Sequence, residues 1–357
     1  SKRSLDKNIF FESEVLLSAW PRLTSVLAPQ GCWMLCLWET TGSGRSLRLF
    51  MPTRINKVGF PKYKVLQPLS NEYMPIGTPL IDKDCSGEAC ETLLRLLSDP
   101  NLGLPHIIDF THQRQTSESF KSLQEAALNL GLKTRQSTTQ QRAALFSNQN
   151  CDDYIRSSLG AKRTRELNRQ LRKLSEAGDV EFSVDKLEED VLDAFEGFMT
   201  LELKGWKGRR GTALYNHKKI AAFSRQIVAE LAMKNGCEIY TFKHNQQIIA
   251  ALIMLGRDGH LVPWKMAYNE ELGRYSPGMQ LMVKATESLT KHHDFIEADS
   301  LAVQDHWMMN HIWTDRITVT DMAIALTPKA DSVLDKAMHS KTRLLGIRAY
   351  VKKLLRG

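Results

Sequence analysis

The chain has 357 residues, enough for two domains that each bury a core of their own. Hydrophobic residues make up 42% and charged residues 25%, and no run approaches the roughly 18 apolar residues of a membrane helix, so disordered and membrane-spanning classes are excluded. The net charge of +8 gives a moderate positive field that suits phosphate-bearing cofactors, anionic glycans, lipid headgroups and nucleic acid about equally.

Ser1 to Phe10 carries Lys2, Arg3, Asp6 and Lys7 without an apolar segment, so no secretory signal is expected and a cytoplasmic home follows. Trp33 to Thr40 and Ser46 to Met51 flank Thr41-Gly42-Ser43-Gly44-Arg45 and predict a hairpin. Cys32 and Cys36 fall on one face of the first strand, and the six cysteines show no zinc or disulfide spacing, so they are expected as reduced core residues. From Pro52 to Pro79 the prolines predict a surface loop lining a cleft. A helix over 87–97, a strand over 106–110, a helix over 117–130 and a strand over 142–146 complete the first half.

The second half is predicted as helices over 189–203 and 217–234, strands over 238–243, 248–255 and 261–268, a helix over 277–292, a strand over 295–300, a helix over 305–314 and a strand over 317–326. Short turns and alternating element types predict an α/β (α+β) fold with mixed central sheets flanked by helices. Between the halves, Lys162, Arg165, Arg169, Arg172 and Lys173 share one face of a predicted helix with Leu167, Leu171 and Leu174 opposite, a solvated stripe or an anion-binding wall. A basic tail from Asp335 to Arg356, with Lys336, Lys341, Arg343, Arg348, Lys352 and Lys353, predicts a solvated terminal helix that could also rest on an anionic membrane surface.

The most informative stretch joins the apolar strand ending Trp264-Lys265-Met266-Ala267-Tyr268 to Arg274-Tyr275-Ser276-Pro277-Gly278-Met279-Gln280. Ser276 suits an N-cap, Pro277 the first helical position, and Gly278 a close backbone approach by a ligand. The amides of Gly278, Met279 and Gln280 would then face an anion at the positive end of the helix dipole.

Together with Asn71-Glu72-Tyr73-Met74-Pro75-Ile76-Gly77-Thr78-Pro79-Leu80, Leu159-Gly160-Ala161-Lys162-Arg163-Thr164-Arg165, Glu202-Leu203-Lys204-Gly205-Trp206-Lys207-Gly208, Gly211-Thr212-Ala213 and the Asp299 to Trp313 segment, this stretch resembles the GNAT acyl-CoA N-acyltransferases. The branch it resembles is that of the cellulose-biosynthesis CelD-like acetyltransferases, related in architecture to FemAB-type aminoacyl ligases. It departs from the usual GNAT phosphate loop in offering a single glycine at the helix start. The resemblance implies tandem GNAT-like domains: a degenerate one over 1–150, a catalytic one over 151–330, and a basic terminal helix over 331–357. It also implies acetyl-CoA or another acyl-CoA as co-substrate, with a small-molecule acceptor such as an amino sugar or glycan precursor in polysaccharide production.

Acyl transfer from a thioester to an amine needs a base, an oxyanion donor and an acid. The resemblance places the oxyanion amide at Met266 or Ala267 on the splayed strand. Glu202, beside a Gly-rich basic flap, is the first candidate base, and a surface pairing with Lys207 or Arg209 is its structural alternative. Asp299, at a strand end, is the second candidate, with Glu297 on the same face. Tyr268 is the candidate acid. Lys265, in an apolar strand, should reach the cleft or meet a carboxylate such as Asp299. Trp206, Lys207, Lys265, Arg165 and Arg169 are the candidate acceptor contacts.

No metal is expected, since no H-E-x-x-H occurs, His306 and His311 lie five apart, and His292-His293 suits a helix C-terminus. Hydrolase, ATPase and dinucleotide motifs are missing. Two alternatives keep the fold: a FemAB-like ligase using aminoacyl-tRNA, with the basic helix tracking RNA, and a catalytically silent protein that binds a glycan or partner.

Overall fold

A computed structural model describes residues 3–20, 31–42, 44–146 and 151–354. Helix α1 (Ser13–Ala19) precedes the hairpin of β1 (Cys32–Thr41) and β2 (Gly44–Val58), which closes at Thr41 opposite Gly44 as the turn residues predict. Ser43, within that turn, lies outside the described residues. β2 continues through Pro52, and β3 (Tyr63–Pro68) pairs with it, Ile55 opposite Leu66, so apart from the turn over 59–62 the stretch expected as loop is strand as far as Pro68. One missing proline amide costs a single ladder bond, and the alternating apolar side chains outweigh it. The loop begins only after Pro68, and the Asn71 side chain there accepts the Tyr73 and Met74 amides at 2.8 and 3.1 Å.

Next come β4 (Leu80–Ile81), α2 (Ser86–Leu97), β5 (Ile107–Arg114), α3 (Glu118–Asn129) and β6 (Thr134–Phe146). α4 (Cys151–Glu176) breaks at Gly160, whose φ of 74° belongs to the left-handed region that favours glycine. β7 (Val180–Asp185) has no counterpart in the predicted elements; it is a half-exposed edge strand whose pattern is too short to signal itself. The remainder is α5 (Glu188–Lys204), α6 (Trp206–Arg209), α7 (Lys218–Ala232), β8 (Cys237–His244), β9 (Gln247–Arg257), β10 (His260–Tyr268), α8 (Pro277–Lys291), β11 (Glu297–Asp299), α9 (Trp307–Ile312), β12 (Asp315–Ala325) and α10 (Pro328–Leu354). Among the described residues no helix is long and apolar enough to cross a membrane.

The chain divides into two compact α/β units that are discontinuous in sequence. One comprises Ser1–Glu12, Thr24–Gln140 and Thr318–Gly357, the other Ser13–Leu23 and Gln141–Ile317. These limits differ from a single cut near residue 150, because each unit draws an element from beyond that cut. In the first unit the strand order is β1-β2-β3-β5-β12, mixed because β3 and β5 run parallel, and α2 and α3 cover an apolar face built on Leu49, Met51, Phe110 and Ile324, with Phe120 of α3 packed into it. Cys36 is exposed and Cys32 half-buried, so neither is the core residue expected; β1 is an edge strand with a bulge at Leu37/Trp38.

The tail helix also departs from expectation. Lys341 is buried, with its ammonium 2.7 Å from Asp109 and 2.9 Å from Asp321, and Gln67 donates to the same Asp109 oxygen at 2.7 Å. Burial disfavours this ammonium, but the two carboxylates outweigh it and hold the Lys341 pKa above the ordinary lysine value. Lys341 is therefore an anchor rather than part of a solvated stripe, while the side chains of Arg348, Lys352 and Lys353, and Arg356 altogether, lie outside the described residues.

The second unit orders its strands β6-β11-β10-β9-β8-β7, with β10 and β11 parallel and the other pairs antiparallel. One face packs Leu252, Met254, Leu281, Met282 and Trp313 into a continuous core. On the sheet's β10, Trp264 meets Phe223 of α7 edge-on at 6.5 Å.

Candidate active site

The second unit's sheet forks between β10 and β11. The two strands pair only at His260 with Glu297 and Leu261 with Ala298, because β11 is three residues long. Beyond Leu261 this edge of β10 has no strand partner among the described residues. On the other edge, the Asn269 amide donates to the Ile249 carbonyl at 2.8 Å, and Ala267 stands opposite Ala251. Antiparallel ladders alternate, so the Ala267 amide turns toward β9 while the peptide groups of Met266 and Tyr268 turn toward the open edge.

Beside that edge lies an ion pair between a buried carboxylate and a half-buried ammonium. Glu202, 3% exposed near the end of α5, accepts the Lys207 ammonium at 2.7 Å and the Leu214 amide at 2.8 Å, one on each carboxylate oxygen. Lys207 also donates to the Met266 carbonyl at 3.2 Å, tying the pair to β10. Arg209, the other expected partner of Glu202, instead binds Glu270. Glu270 further accepts the Trp206 amide at 2.6 Å, which fixes the start of α6. Gly208 is obligatory in this flap, since a Cβ there would stand 1.7 Å from the Leu203 carbonyl oxygen. Glu202, Trp206, Lys207, Met266 and Tyr268 line a cavity of about 30 Å³, room for about one water molecule. Trp206 and Tyr268, 44% and 40% exposed, stand at its rim.

The α8 start differs from a simple capped anion site. Ser276 adopts a left-handed conformation (φ 52°) and its side chain makes no capping bond, although Pro277 occupies the first turn as expected. Gly278, Met279 and Gln280 are buried. A Cβ on Gly278 would stand 3.0 Å from the Tyr268 ring, so the glycine admits that ring, and Gln280 donates its side-chain amide to the Leu167 carbonyl of α4 at 2.7 Å.

Asp299 closes the short strand β11. It pairs with Arg142 of β6, a nearly buried guanidinium, and accepts the Leu301 amide at 3.0 Å. Lys265 lies 5.9 Å from the centre of the Trp264 ring. On α4, Arg169 binds Glu166 within its own helix and Arg165 donates to the Ala161 carbonyl at 3.1 Å, so part of the basic stripe is satisfied locally. Sequence reasoning missed Glu270, Arg142 and the Leu214 amide. Glu270 follows the diagnostic strand by two residues and could have been flagged; the other two are neighbours through tertiary contact alone.

Residues 161–307, about two fifths of the chain, match the family model described as acetyltransferase (GNAT) domain. That segment is thus similar to acetyltransferase domains of the GNAT superfamily. Among solved structures it resembles FemX, at 11% identity over 93% of this chain and 96% of that one, with a TM-score of 0.54. A conserved protein of unknown function from Bacteroides thetaiotaomicron VPI-5482 is similar at 11% identity over 90% and 93% of the two chains, TM-score 0.53. A tandem GNAT protein from the clavulanic acid biosynthesis pathway matches more loosely, at 10% identity over 87% of each chain and a TM-score of 0.43. No curated protein matches the chain.

Proposed function

We propose that the second unit is an acyl-CoA-dependent N-acyltransferase, acting on the amine of a small molecule such as an amino sugar or glycan precursor. The observation that carries this reading is the open edge of β10 at Met266, set beside the buried Glu202 carboxylate and its Lys207 partner. A thioester carbonyl lying along that edge would accept the Met266 amide as negative charge develops on its oxygen. The acceptor nitrogen attacks the carbonyl carbon, the C–S bond breaks and an amide forms. Each Glu202 oxygen retains a second lone pair, so the carboxylate can take the amine proton through one water in the small cavity. Tyr268, at the end of the same strand, returns a proton to the departing thiolate. Trp206 supplies an apolar wall for the acceptor.

The test is release of free thiol from acetyl-CoA against a panel of amines, with calorimetric titration of acetyl-CoA alone. Binding together with amine-dependent thiol release supports the reading; acetyl-CoA that neither binds nor reacts removes it. One observation favours a second reading, transfer from an aminoacyl-tRNA: the α8 start, where CoA phosphates would dock, is buried and occupied by the Tyr268 ring. Salt-dependent tRNA binding with no acetyl-CoA binding would select that donor. Loss of both activities would leave a glycan- or partner-binding role.

A further inference from the structure

At the opposite end of β10 from Tyr268, the turn after α8 carries three metal-ligand side chains in succession. Their ligand atoms, one each from His292, His293 and Asp294, all lie within 4.8 Å of one another. The backbone beneath them is fixed. Phe295 donates its amide to the His292 carbonyl at 3.0 Å, closing a hydrogen-bonded turn, and its side chain is buried. Ile296 and Glu297 both donate to the Gly259 carbonyl, at 2.9 and 3.0 Å. A Cβ on Gly259 would stand 2.1 Å from the Asp294 carbonyl oxygen, so the β9–β10 turn clamps this one from the other side. Above that fixed backbone the imidazoles stack at 5.3 Å, and His293 Nε2 lies 3.1 Å from the Asp294 carboxylate.

We infer that His292, His293 and Asp294 form a binding site for a divalent transition-metal ion of the zinc class. Two imidazoles and one carboxylate are a donor set suited to such ions. Metal–ligand bonds of about 2.1 Å put tetrahedral ligands roughly 3.4 Å apart, and because all three residues are exposed their side chains have room to rotate toward a common ion. The turn stays in place, so little backbone entropy is lost. The turn also follows the C-terminus of a 15-residue helix, whose carbonyl end favours a cation. The three residues line a groove of about 830 Å³ that also holds Glu238 and Ser288. With three protein ligands, a fourth position remains for water or for a ligand atom of a molecule in the groove.

The experiment is calorimetric titration of the tag-free full chain with ZnCl2, with Co2+ absorption as a direct report of coordination. One ion should bind per chain, with a Co2+ visible band typical of a four-coordinate N/O site. His292→Ala and Asp294→Asn should each weaken binding by about tenfold or more, and His292→Ala/His293→Ala should abolish it. Because the residues are exposed, circular dichroism should be unchanged. Absence of one-to-one binding, or equal affinity in the double variant, overturns the site.

Discussion

The Lys207 ammonium stands 2.7 Å from a carboxylate oxygen of Glu202 and 3.2 Å from the Met266 carbonyl, so one cation joins the candidate base to the strand that would polarise the donor. Two roles for Glu202 are then distinguishable: taking a proton, or merely holding Lys207 and the Leu214 amide.

If Glu202 takes the proton, Glu202→Gln should lower kcat by about 10²- to 10⁴-fold with little change in donor binding. The lost rate should return as pH rises, since an already neutral amine needs less help, while the wild-type profile levels off. Lys207→Met should lower kcat without that alkaline recovery. Identical profiles for the two variants would assign Glu202 a holding role only.

Gly278 lies tight against the Tyr268 ring, which would stand 3.0 Å from a Cβ there. Gly278→Val should therefore destabilise by about 1–3 kcal/mol through overpacking, and adding Tyr268→Ala should recover most of the loss in Tm. In the single variant acetyl-CoA affinity should also fall, because the valine side chain blocks the approach of a pyrophosphate to the backbone. Unchanged affinity would take the α8 start out of the donor site.

In the first unit, Lys341→Met leaves Asp109 and Asp321 buried without their cation. The expected cost is about 3–5 kcal/mol, read from urea midpoints. Lys341→Met combined with Asp109→Asn and Asp321→Asn should regain much of it, because the stranded charges are then gone. A small effect of Lys341→Met alone would show that the lysine does not neutralise them.

Acid sensitivity should be traceable to Glu14. Burial alone would raise its carboxyl, but hydrogen bonds from Ser13, Lys234 and Arg257 outweigh this and hold its pKa at about 2 against 4.5. A depressed carboxyl contributes stability that is present above pH 4.5 and lost as pH falls toward 2. Glu14→Gln should cost on the order of 1–3 kcal/mol at neutral pH and flatten the stability curve across that acid window. Urea midpoints measured from pH 7 to pH 2 decide it; an equally steep acid limb in the variant would assign the loss elsewhere.

Local signals settled much of this protein. Period-two and period-3.6 apolar patterns are properties of short segments, so the α/β class and the order β8-β9-β10-α8-β11-α9-β12 could be read directly. The Trp264 to Gln280 stretch likewise marked the strand and helix start on which the proposed site is built. What the sequence could not determine is which charged groups meet, because ion-pair partners are chosen by three-dimensional proximity rather than spacing. Lys341 looked like one member of a solvated basic tail, yet the fold places it between two carboxylates 232 and 20 residues away. Asp299 was one carboxylate that Lys265 could meet if it did not reach the cleft; the β6–β11 register brings Asp299 the Arg142 guanidinium, a partner that no spacing announces. The first part of the Pro-rich stretch, as far as Pro68, is largely strand because cross-strand packing outweighed a local preference. The open edge at Met266 exists because β11 stops after three residues, a limit set by sheet geometry that no property of Met266 itself announces.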